Sequence, residues 1–167
     1  MAVTIKQTEA IPASYPDDGD PAIWQRLESY IAHRFTSRAV VWIVEGCGEW
    51  AAPLTPATIS SVEIWSGTAW ETCTEPDSPL GGYWLSGDGP YRFTGTVGGG
   101  TVPAAVSEAY TRLSNFLTET SDNPAGARVY SYSIGELSER TERDPAHIAK
   151  ALQNSGAADL LRPYRRA

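Results

Sequence analysis

Two histidines, two cysteines and 20 acidic residues are the groups with which this 167-residue chain could do chemistry. Acid–base, nucleophilic or metal chemistry needs such groups to converge in a pattern. His33 and His147 fall in separate helical stretches, and neither has a partner at metal-ligand spacing. Cys47 stands between two glycines and could be exposed, but Glu45 and Glu49 flank it and oppose a thiolate. Cys47 and Cys73 do not form a metal-binding spacing, and their pairing as a disulfide stays open. The acidic pairs Asp17-Asp18, Glu45 with Glu49, and Glu75 with Asp77 lack the order of a calcium loop and read as solvated surface. Gly98-Gly99-Gly100 lacks the Lys-Ser/Thr of a phosphate loop and reads as a hinge. The residues therefore support no catalytic, cofactor or metal site, and the expectation is a non-enzyme without a cofactor.

What remains is the C-terminal end. Leu160, Leu161 and Tyr164 stand there beside Arg162, Arg165 and Arg166, with Pro163 between them and no acid after Asp159. Chain ends are usually polar and frayed. An apolar, basic end has the composition of a docking segment: leucines and tyrosine as anchors, arginines for carboxylates. Pro163 fixes one dihedral and removes a donor, so a semi-extended tail is expected. Residues 1–135 hold 7 basic and 15 acidic residues, whereas residues 136–167 hold 6 and 5. An acidic body with a basic end suits an acidic partner or a second copy of the chain. The formal net charge of -7 excludes a general nucleic-acid binder, whose footprint is basic.

The elements that would position this end follow from pattern. Residues 1–19 read as an extended arm, because Ile11-Pro12 and Tyr15-Pro16 disfavour helix. Asp20-Pro21 opens a helix over 20–36 with Ile23, Trp24, Leu27, Tyr30 and Ile31 on one face. Residues 38–100 form a β insertion: a strand AVVWIV, a hairpin from residues 59–65 and 70–73, and a second hairpin from Tyr83-Trp84-Leu85 and residues 91–97. Pro103 opens a second helix over 102–122, residues 123–143 read as loop, and Asp144-Pro145 opens a third helix over 144–156 that stops at Ser155-Gly156. Residues 157–167 are the tail. The fold class expected is α+β: a small bundle of three main helices with an inserted β-hairpin subdomain, an extended N-terminal arm and an extended C-terminal tail. The length fits one domain. No basic-plus-apolar leader and no run of ~20 apolar residues occurs, so a soluble, cytoplasmically made protein without a membrane partner is expected.

This layout resembles the head–tail adaptor (head–tail connector) proteins of long-tailed phages and phage-like gene transfer agents. Four stretches carry the resemblance: the 20–35 helix leading into AVVWIV; Val102-Pro103 leading into AAVSEAYTRLSNFLTE; the loop Ser133-Ile134-Gly135-Glu136 before the last helix; and the ending SGAADLLRPYRR. Glu136 stands where the family more often has Asp, and the β insertion is longer and richer in Trp. The resemblance implies a structural virion protein in the neck between capsid and tail, assembled in the host cytoplasm. It implies a ring of copies, a dodecamer, below the portal protein, which extends the DNA channel and carries the stopper or tail-completion protein. Double-stranded DNA would pass through without specific binding, since an acidic body does not trap phosphate. The family's portal contact maps onto Leu160, Leu161, Arg162, Pro163, Tyr164, Arg165 and Arg166.

Two alternatives stand beside it. One is a stopper or tail-terminator of the same connector. The other is a DNA-binding regulator in which residues 144–161 form a helix-turn-helix with arginines on phosphate. Its second helix would be very short and brings no Asn, Gln or Arg to its first turn.

Overall fold

The computed structural model describes residues 1–121, 129–135, 137–142 and 146–165. Its largest element is a five-stranded antiparallel sheet of order β1-β2-β7-β4-β5, built from β1 (Val3–Glu9), β2 (Arg38–Glu45), β4 (Ala57–Trp65), β5 (Trp70–Thr72) and β7 (Tyr91–Val97). Two small sheets accompany it: β3 (Gly48–Trp50) with β6 (Tyr83–Leu85), and β8 (Val129–Ile134) with β9 (Leu137–Glu142). The described helices are α1 (Pro21–Ile31), α2 (Ala104–Ser121), α3 (Ala151–Asn154) and α4 (Ala157–Leu161).

The expected three-helix bundle with inserted hairpins is therefore wrong. The protein is a mixed α/β fold with more sheet than helix. The arm is not a free extension, because Val3–Glu9 pairs antiparallel with β2 as an edge strand of the main sheet. Its alternation of Val3, Ile5 and polar residues is too weak to announce a strand, and only the pairing supplies its hydrogen bonds. The second hairpin is wrong as well. β6 pairs with β3, while β7 lies between β2 and β4 with both edges filled. The turn at residues 86–90 thus carries the chain from the small sheet to the large one. Tyr91 anchors this change of sheet: its ring is fully buried and its hydroxyl accepts from the Gly87 amide at 2.8 Å.

One face of the sheet makes the first core. Val40, Trp42 and Val44 alternate inward on β2, and Tyr91, Phe93 and Val97 do so on β7. The small β3–β6 sheet closes over them, with the Trp50 ring stacked 4.1 Å from Phe93 and edge-on to Trp42. Each such side chain contributes about 1.5–3 kcal/mol on burial.

The second core is helical. Asp20 caps α1 by accepting from the Ala22 amide at 2.7 Å, and Pro21 sits where a missing N–H costs nothing. Ile23, Trp24, Leu27 and Ile31 then meet Val106, Ala109 and Leu113 of α2. α1 ends at Ile31 rather than near residue 36, because Ala32 takes a left-handed conformation and residues 33–35 turn aside. Glu28 helps this turn by accepting from the Phe35 amide at 2.8 Å.

The Gly98-Gly99-Gly100 segment begins as a close approach rather than a hinge. A side chain on Gly98 would come within 2.3 Å of the Thr36 carbonyl oxygen, and its amide donates to Pro56 at 2.9 Å. Residues 123–143 were expected as loop, but the described part holds the β8–β9 hairpin. Of the helix expected over 144–156, residues 144 and 145 lie outside the described residues; 146–150 form turns, and only Ala151–Asn154 is α-helical. Among the described residues, no helix is long and apolar enough to cross a membrane.

Candidate functional site: the C-terminal segment

The C-terminal segment is seated on the helical core and is not an extended tail. α3 and α4 are joined through Ser155 and Gly156, and Gly156 adopts φ +74°, a left-handed angle that favours glycine. This reversal brings Ala151, Ala157 and Leu161 together as fully buried residues against α1 and α2. A 3-10 turn, Arg162–Tyr164, continues directly from α4. Pro163 fits because it lies in the first positions of that turn, where no amide donor is required, so proline did not force the chain straight.

The anchors expected from sequence separate into three groups. Leu161 is fully buried in the protein's own core, so in this conformation it is a folding residue and not an exposed anchor. Leu160 and Tyr164 are partly buried against the same core, and each keeps an accessible side. Arg162, Pro163 and Arg165 are exposed. Arg166 lies outside the described residues.

α1 holds this segment at two points. The Arg26 guanidinium donates to the Ile148 and Ala149 carbonyls at 2.9 and 3.2 Å. The Arg165 guanidinium lies 4.8 Å from the Tyr30 ring centroid and donates to its hydroxyl at 3.5 Å, the outer limit of a hydrogen bond. The surface so formed presents three polar or rigid groups on a short helical ledge. It can clamp carboxylates through Arg162 and Arg165, with Leu160 and Tyr164 as apolar neighbours.

The loop residues named with the tail are elsewhere. Ser133, Ile134 and Gly135 form the end and turn of the β8–β9 hairpin and are exposed, with Gly135 at φ +58°. Glu136 lies outside the described residues. The structure thus packs the tail on the helical core, with α4 against α2 and Arg165 on Tyr30 of α1, but gives the hairpin no strand partner beyond itself among the described residues.

The groups considered for chemistry stay apart in role. His33 stacks on Phe35 at 4.5 Å, and burial holds its imidazole below the ordinary value of 6.5. His147 packs against Phe116 at 4.7 Å. Cys47 and Cys73 are both free thiols, and burial, with Glu75 and Glu63 nearby, pushes the Cys73 thiol up. Among the described residues no cluster of His, Cys, Asp and Glu could hold a metal ion.

Sequence reading missed a buried charge network joining the arm, α1 and β2. Glu28 is 1% exposed and binds Arg38 through both carboxylate oxygens, at 3.0 and 2.7 Å. Arg38 also reaches Glu9 at 3.1 Å, and Arg34 binds Glu9 with two nitrogens at 2.6 and 3.0 Å. The signal was present: Glu28 follows Leu27 and stands four residues after Trp24, inside the apolar stripe of α1. An acid on that face needs a partner.

No protein-family model matches the chain, and no curated protein matches it.

Proposed function

We propose that this chain is a head–tail adaptor: a structural neck protein that forms a ring below a portal protein, extends the DNA channel and carries the stopper or tail-completion protein. The observation that carries the reading is the ending SGAADLLRPYRR on an otherwise acidic chain, whose described part, residues 155–165, is seated so that Arg162, Pro163 and Arg165 face outward. The portal contact is then Arg162, Pro163 and Arg165 with the accessible sides of Leu160 and Tyr164. Leu161 acts indirectly, by fixing the ledge on the core. Many copies in one ring make a weak single contact into a stable joint. The excess of acids over residues 1–135 suits a channel through which DNA slides.

The test is binding of the full chain to the portal ring. Arg162→Glu with Arg165→Glu should weaken binding at least about tenfold while the thermal midpoint stays near that of the parent, and added salt should weaken the parent's binding. Unchanged portal binding by the double variant sinks the assignment of the ledge. Sequence-specific binding of duplex DNA at physiological salt by the parent would overturn the adaptor reading in favour of a regulator.

A further inference from the structure

Among the described strands with an open edge, β1 and β8 have complementary features. β1 is a rim strand of the main sheet, so its outer backbone groups over Val3–Glu9 have no strand beside them. Val3 and Ile5 on it are 50% and 61% exposed. At its start lies a largely apolar groove of about 600 Å³, lined in part by Ala2, Val3, Thr4, Ala51 and Trp84.

The β8–β9 hairpin is the other case. Among the described residues it pairs with no further strand, and every hairpin residue whose side chain is described is exposed, including Val129 and Ile134. A two-stranded hairpin alone is marginal in water. Charge shows which of its edges is open for pairing. β9 carries Glu139, Arg140 and Glu142, whereas β8, VYSYSI, carries no charge. Charged residues are the usual guard of an edge strand, so β8 is the unguarded one. β8 is six residues long and β1 seven, so one can line the other along its length. The signs also match: β1 carries an exposed Lys6, and residues 129–142 have a net charge of -2 from three acids and one arginine.

We propose that β8 of one copy adds antiparallel to the outer edge of β1 in a second copy, with Ile134 opposite Val3 and next to the groove beside Trp84. Main-chain hydrogen bonds hold the added strand, and the groove takes an apolar side chain. Each copy offers one hairpin and one edge, so the contact is head-to-tail and closes into a ring where the rotation permits. This deepens the adaptor reading and rests on its ring of copies.

The experiment uses the full chain with Cys47 and Cys73 replaced by serine. A Val3→Cys chain is mixed with an Ile134→Cys chain under mild oxidation. Directly opposed residues of an antiparallel pair are close enough for a disulfide. The mixture is expected to give a cross-linked dimer at least about tenfold more abundant than either variant alone. Sedimentation supplies the second readout: Ile5→Lys and Ile134→Lys should each weaken self-association about tenfold or more, with circular dichroism unchanged. Cross-linking confined to Ile134→Cys alone means hairpin-to-hairpin pairing and overturns the proposal. So does a mixture that does not cross-link, or a parent chain that stays monomeric at every concentration. Retained portal binding with no copy-to-copy cross-link removes this contact alone; cross-linking without portal binding removes the adaptor reading alone.

Discussion

Glu28 and His33 show how much turns on single side chains here. Glu28 is buried with Arg38, and its carboxylate also holds the Phe35 amide. Removing one member of such a pair leaves the other charge unpaired away from water, which costs about 3–5 kcal/mol. Glu28→Ala should therefore lose about that much in urea unfolding, and Glu28→Leu with Arg38→Met should recover most of it. A loss under ~1 kcal/mol for Glu28→Ala would contradict the network's role. His33 gives a pH dependence. Burial keeps its folded pKa below 6.5, so the unfolded chain takes up a proton that the folded chain refuses. Its contribution is fully present above about pH 6.5 and is lost as the pH falls from there through the folded pKa. The unfolding midpoint of His33→Gln, followed between about pH 5 and pH 8, should fall less steeply on the acid side than the parent's. Equal slopes would remove His33 from the account.

At the scale of elements, local signals were readable where the chain satisfies itself locally. Asp20-Pro21 announces α1 because cap and proline act within one turn. The Trp65–Trp70 hairpin is readable because its two strands are joined by a short Ser-Gly turn and pair with each other. β1, β6 and β7 were not readable in their pairings, since each finds its partner across a long stretch of chain and nothing local names that partner. The tail failed differently. Arg162-Pro163 suggested an extended segment, but burial of Ala157 and Leu161 on α2 decides its shape. Leu161→Ala should accordingly cost about 2–5 kcal/mol in thermal or urea unfolding, whereas Arg162→Ala should stay within ~0.5 kcal/mol. Equal effects would mean that α4 is not part of the core.

Across the whole molecule, two cores share the load. The helical one gathers residues from positions 15 to 161, and the sheet one gathers residues from positions 2 to 97. The Glu9–Arg34–Arg38–Glu28 network lies where α1 gives way to β2 and ties the N-terminal strand to both. The charge asymmetry read from sequence has a physical place: the arginines at residues 162 and 165 are exposed on the helical layer. The close meeting of Gly98 with Thr36 has a consequence for inheritance. The chain leaves the helical layer at residue 36 and returns at residue 98, almost at the same point. Segments whose two ends touch can be exchanged between genes as a unit. A recombination replacing residues 37–97 would keep the path of the helices, but the incoming segment would have to offer β1 a new partner strand. Conserving the helices while varying the sheet is thus open to evolution only for replacements that keep a place for residues 3–9.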